Sequence, residues 1–222
     1  MIRITPLALI VAALTSSFFV SGAYAAEPET AKTAVVDLAK AKQIVEGVCV
    51  ACHGADGNSP LPNNPKLAGQ IPEYLYKQLS NFKSIDGKPP VRNNPTMGAM
   101  AIMLNEADMK SVAAYLSQQK LQVSAETTAD PALIAEGQKL WRAGNSENGT
   151  PACTGCHGPS GKGLPAQYPR LAAQHAEYIE NQLKMFSTGE RANDSEKVMR
   201  MIAAKLSDRQ KKALAEYIAS LR

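Results

Sequence analysis

The chain has 222 residues, a formal charge of +4 from 24 Lys and Arg against 20 Asp and Glu, and only 5% aromatic residues. Such a mild positive balance gives no case for nucleic-acid binding. With so few aromatic residues, each half of the chain is short of apolar mass for a core of its own.

The chain opens Met1-Ile2-Arg3, continues through an apolar run from Pro6 to Val20, and reaches Ala23-Tyr24-Ala25 before Ala26. A charged start, an apolar stretch too short to span a bilayer comfortably and a small-x-small site predict a cleaved secretory signal peptide over residues 1–25. An uncleaved anchor is the alternative. Cleavage takes away Arg3 and no acid. No other long apolar run follows, so the mature protein is expected to be soluble or peripherally attached to a membrane, in the periplasm.

A first helix is predicted from Asp37 towards Cys52, and it runs into Cys49-Val50-Ala51-Cys52-His53. The same spacing returns as Cys153-Thr154-Gly155-Cys156-His157, so the two motifs use all four cysteines. C-x-x-C-H is the attachment signature of a c-type haem. Cysteines three apart on a helix face one side and reach two neighbouring vinyl groups, while the adjacent histidine turns over the iron. Three other chemistries use C-x-x-C. A zinc ion needs four ligands, and three packed this tightly serve one tetrahedral site badly. A thioredoxin-like pair needs no following histidine, twice over, and normally follows a strand. A disulfide across two residues constrains almost no chain. The reading is therefore two covalently bound haem c groups, held by Cys49, Cys52, Cys153 and Cys156.

The chain is also a duplication. Lys66-Leu67-Ala68-Gly69-Gln70 lines up with Arg170-Leu171-Ala172-Ala173-Gln174, and Glu73-Tyr74-Leu75 with Glu177-Tyr178-Ile179, at the offset of the two motifs. Gln78, Leu79 and Phe82 then match Gln182, Leu183 and Phe186. Beyond them the offset falls by two, aligning Leu104 with Leu206 and Tyr115 with Tyr217. This predicts a two-residue length change between Phe82 and Leu104.

Each copy reads as three helices around a haem, with no strand-like alternation of useful length. The second helix starts at Pro72 in copy one, with Leu75, Leu79 and Phe82 on one face; Ile179, Leu183 and Phe186 repeat that face. The third is capped by Asn105 or Ser207 and carries Met109, Val112, Ala113 and Leu116, or Leu214, Ala215 and Ile218. The predicted layout is an all-α pair of domains over 26–120 and 131–222, joined by a linker at 121–130. Asp130 and Pro131 form the cap and first residue of the helix that opens copy two.

The remaining question is the sixth iron ligand. Besides His53 and His157 there is one more histidine, His175, so bis-histidine ligation of both haems is excluded by count. Methionines are plentiful, and most are packing residues. Register separates them: Met97 falls on Met199, whereas Met100 falls on Ile202, Met103 on Lys205 and Met201 on Ala99. The expected axial pairs are His53 with Met97 and His157 with Met199, in the loop before each third helix, with Met100 and Met201 as fallbacks. His175 aligns with Ile71 and reads as a partly exposed residue at a helix start. His/Met ligation raises the reduction potential. Pro65 and Pro169 are candidates to offer their carbonyls to the histidine rings, or else merely shape the loop. Arg92 and Arg191 read either as propionate partners or as surface residues, and Trp141, Tyr74 and Tyr178 either as porphyrin neighbours or as ordinary core and rim.

On the two C-x-x-C-H motifs, the Pro-Lys/Arg-Leu-Ala-x-Gln segments at 65–70 and 169–174, and the Met-x-x-Met/Ile-Ala-x-x-Leu stretches at 97–104 and 199–206, the sequence resembles the dihaem cytochrome c4 family. The likeness covers essentially the whole mature chain. It implies two tandem class-I cytochrome c folds related by a pseudo-twofold axis, with propionate edges facing across the interface. It also implies periplasmic electron transfer to haem-copper oxidases or other respiratory acceptors, through iron held by His53, Met97, His157 and Met199. One departure is that many relatives have two adjacent methionines at the second axial position, where Val198 precedes Met199 and Met201 stands close by. The leading expectation is a shuttle, not an enzyme, taking electrons from a quinol-oxidising complex such as quinol-cytochrome c reductase to a terminal oxidase. The alternative is a cytochrome subunit of a dehydrogenase, as in flavocytochrome c sulfide dehydrogenase. A peroxidase-like enzyme needs an open iron, which His/Met ligation of both haems does not leave.

Overall fold

Side-chain caps mark where most of the longer helices begin. Asp37 accepts a hydrogen bond from the Lys40 N–H (2.9 Å) and opens helix α1, Leu38–Ile44. The chain then passes without a break through a π-helical segment, Val45–Cys49, into α2, Val50–His53, and the first motif runs from the last residue of the one through the whole of the other. Helix α3, Pro72–Phe82, begins on proline. Helix α5, Glu106–Ser117, is closed by a capping box between Asn105 and Asp108. The second copy repeats the plan with α6 (Pro131–Ala143), α7 (Thr154–His157), α8 (Ala176–Thr188) and α10 (Asp208–Ser220), the last boxed by Ser207 and Gln210. This computed structural model describes residues 36–123 and 129–222; the expected signal peptide and part of the linker lie outside them. Among the described residues there is no strand, only three isolated bridges.

Each lobe buries its own core. In lobe one Ala41 of α1 and Val45 of the π-helical segment pack with Leu75, Val112, Ala113 and Leu116. In lobe two Trp141, Leu183, Phe186, Leu214 and Ile218 form the larger cluster. A Cβ on Gly137 would lie 2.0 Å from the Ala213 carbonyl oxygen, so α6 and α10 cross with their backbones nearly touching.

The structure corrects the sequence reading in two places. Met97 and Met199 sit not in loops but in short helices, α4 (Pro95–Ala101) and α9 (Val198–Ala203). Asn94 caps the first by accepting from the Met97 N–H at 2.9 Å. The second correction concerns the apparent two-residue length change, which is two opposite changes. The N–H groups of Arg92 and Arg191 both donate to the same repeat position, the carbonyls of Asn81 and Met185, so these arginines are structural equivalents. Copy two is therefore shorter before its arginine and longer between arginine and methionine. There a 3₁₀ turn, Ser195–Lys197, precedes α9. Lobe two also has a loop, residues 144–152, between its first helix and its motif, where lobe one is continuously helical.

The start of the linker is tied down. Asn58 donates to the Lys120 carbonyl and accepts from the Gln122 N–H, and Gln122 Nε2 donates to Asp56.

Candidate haem centres

The two motifs end their helices identically. Gly54 and Gly158 follow the histidines with φ 77° and ψ 157°, a conformation that glycine adopts freely, and turn the chain away from the ring site. The carbonyls of Gly57 and Gly161 then accept from Leu67 and Ala68, and from Leu171 and Ala172, folding each Pro-Lys/Arg-Leu-Ala segment back beside its motif.

That fold-back delivers Pro65 and Pro169 to the histidines. A peptide carbonyl only accepts, so Nδ1–H of His53 donates to Pro65 O at 2.9 Å, and Nδ1–H of His157 to Pro169 O at 3.0 Å. Each ring is thereby fixed in the tautomer that leaves Nε2 as a bare lone pair. Burial pushes both imidazole pKa values down against the opposing pull of the carbonyl, which keeps the rings neutral. Among the described residues His157 Nε2 is buried without a hydrogen-bond partner, an arrangement that costs free energy unless a ligand completes it. Trp141, fully buried, lies 6.3 Å from the His157 ring, and its Nε1–H donates to Pro159 O. Burial also pushes the Cys153 thiol up to about 11, and burial with Cys52 beside it raises Cys49. The donor set fits haem.

The methionines divide by exposure. Met97 and Met199 are half-buried, and Met199 packs against the lobe-two core; Met201 is 56% exposed and Met103 57%. Met100 is also half-buried, and Met109 is core. His175 is half-buried at the start of α8, as expected, and its Nε2 reaches Ser59 O of the other lobe at 2.9 Å.

Arg92 and Arg191 are not surface residues: they are 8% and 5% exposed. Both lie in the contact between lobes. Arg92 donates to Gln78 of its own lobe (2.7 Å) and to Gln182 (2.7 Å) and Tyr178 (3.3 Å) of the other. Arg191 donates to Gln182 of its own lobe (2.8 Å) and to Gln78 (3.3 Å) and Tyr74 (3.0 Å) of the other. Their guanidinium planes lie over Phe82 and Phe186. Because equivalent residues exchange equivalent partners, a pseudo-twofold axis runs between Gln78 and Gln182. Burial pushes the Tyr74 phenol up, but Arg191 and Arg92 beside it outweigh burial and hold it below its usual value.

Tyr74 and Tyr178 therefore serve the lobe contact through their hydroxyls. Gln70, Gln78, Gln174 and Gln182 appear in the sequence as repeated residues without an assigned role. Their signal was a polar position kept in register in both copies.

The fold and paired motifs define a tandem c-type cytochrome. The cytochrome c family model matches residues 38–120 and again 134–222. Cytochrome c4 of Pseudomonas aeruginosa is 48% identical over 185 residues, covering 82% of this chain and 88% of that one. The thiosulfate dehydrogenase electron acceptor of Thiomonas intermedia is 39% identical over 175 residues, covering 78% of this chain and 77% of that one. The crystal structure of reduced recombinant cytochrome c4 from Pseudomonas stutzeri superposes with a TM-score of 0.76 at 44% identity, covering 85% of this chain and all of that one. The chain belongs to the cytochrome c4 family: it is a dihaem electron carrier that binds two covalent haem c groups through Cys49, Cys52, Cys153 and Cys156.

Proposed function

We propose that the protein is an exported, periplasmic carrier whose two haem irons are held by His53 with Met97 and by His157 with Met199, and that it passes electrons from a quinol-oxidising complex to a terminal oxidase. The observation that carries the ligand reading is the Nδ1–H to proline carbonyl bond made by both histidines, with the buried Nε2 of His157 left open. Bound haem supplies a reversible one-electron change at iron. The chain's own residues do the rest. Pro65 and Pro169 set the orientation and basicity of the histidines, α4 and α9 bring a half-buried thioether from each lobe, and the cores exclude water.

Arg92 and Arg191 support the view that propionates meet at the lobe contact. Two buried guanidinium groups whose hydrogen-bond partners are amides and phenols have room in their energetics for carboxylates.

A second reading concerns the donor alone. The relative named as a thiosulfate dehydrogenase electron acceptor favours a dehydrogenase as the source of electrons, with the same pair of haems. Reducing the purified holoprotein with each candidate donor, and reoxidising it with a haem-copper oxidase, separates the two. Rapid reduction by a quinol-oxidising complex is the expected result; exclusive reduction by a dehydrogenase transfers the protein to the second reading.

A further inference from the structure

The peptide unit between Pro65 and Lys66 has two edges in use. Its carbonyl accepts from His53 Nδ1 at 2.9 Å, and its N–H donates to Oε1 of Gln174, in the other lobe, also at 2.9 Å. Gln174 Nε2 returns to the Lys66 carbonyl at 2.9 Å, so one side-chain amide pairs with both backbone groups of Lys66. The mirror arrangement is complete. The Pro169–Arg170 peptide accepts from His157 Nδ1 at 3.0 Å and donates to Gln70 Oε1 at 2.8 Å, and Gln70 Nε2 donates to Arg170 O at 2.9 Å. Both glutamines are 7% exposed. Each Oε1 also accepts the N–H of the residue that follows it, Ile71 or His175, which fixes which end of the amide is oxygen.

We infer that each lobe's glutamine is a positioning residue for the other lobe's haem: Gln174 tunes His53, and Gln70 tunes His157, through the intervening peptide. An amide whose N–H is hydrogen-bonded becomes a better acceptor at its oxygen, because the two bonds polarise one another. A stronger acceptor at Pro65 O draws on the His53 Nδ1 proton, makes the ring more basic at Nε2 and favours ferric iron. The inference rests on the axial-histidine reading above.

The test uses the full holoprotein, with haem resonances assigned to each lobe by NMR and followed during potentiometry. Gln174→Met keeps length and removes the amide. It is expected to shift the lobe-one equilibrium towards ferrous iron by about two- to fourfold, from a cooperative strengthening of ~10–30% per bond, and to move lobe two less. In the reduced protein the His53 Nδ1–H resonance should move upfield. Gln70→Met should give the mirror result, on lobe two and His157. Gln174→Glu keeps an acceptor oxygen and should return the lobe-one equilibrium to its original position or beyond it. Shifts confined to the mutated lobe, equal shifts in both, or none with an unmoved Nδ1–H, overturn the inference. The wild-type oxidised protein tests the underlying ligation separately. Ring signals of His53 and His157 displaced by paramagnetic iron support it, and undisplaced signals reject it before any variant is made.

Discussion

His157 shows how much of a metal ligand's behaviour is set before the metal arrives. Its ring is buried, neutral, tethered by one nitrogen and open at the other. What such a ring lacks is an opposite ligand, and the prediction at this scale concerns the thioether. Met97→Ala and Met199→Ala should each lower the potential of one haem and open it to carbon monoxide, seen in the visible spectrum of the reduced protein; an unaltered spectrum in both rejects the assignment. The cysteines and both histidines were legible in the sequence, and the proline carbonyls as one of two readings, because each lies within about a dozen residues of its partner. Gln70 and Gln174 were visible only as repeated letters. Their partners are 100 and 108 residues away, in the other copy, and no local pattern encodes that pairing.

Helices α5 and α10 show the same division one level up. Their caps were readable because a capping box is a local chemical pattern, and both boxes are present. Asn105→Ala should cost about 1 kcal/mol in denaturant unfolding of the holoprotein. The crossing of α6 and α10 was not readable. A glycine within a helix weakens it, and only the Ala213 carbonyl 2.0 Å from the site of a Cβ explains why Gly137 belongs there. Gly137→Ala should destabilise the holoprotein by about 3 kcal/mol through forced separation of the two helices, a loss that calorimetry would register and an exposed glycine would not show. The short helices α4 and α9 are too brief for apolar periodicity to declare itself, so in the sequence they look like loop. The two opposed length changes beside them cancelled down to two residues, which concealed where each lies.

At the scale of the whole molecule, buried polar groups join the lobes. Gln78 accepts from Arg92, Arg191 and Asn193 at once, so it serves both halves. Gln78→Leu should leave two buried guanidinium groups short of an acceptor and cost about 3 kcal/mol. With that contact weakened, a single thermal transition of the holoprotein should divide into two, one for each lobe; a transition that stays single and unshifted would show that the lobes are held elsewhere. The tandem arrangement was legible from the internal repeat, whereas the content of the contact was not, since arginines predicted from sequence to be either propionate partners or surface residues are buried between the halves. The loop at 144–152 carries a consequence of its own. In lobe two Lys205 is clasped by it, with Nζ on the Gly149 carbonyl and its own carbonyl on Asn148. The matching turn of lobe one presents Ile102 and Met103 to solvent, bare. Two identical subunits would be bound to wear the same face twice. A fused pair is free of that obligation, and this one greets its surroundings with grease on one side and a tethered cation on the other, so that whatever recognises one turn finds no duplicate at its counterpart.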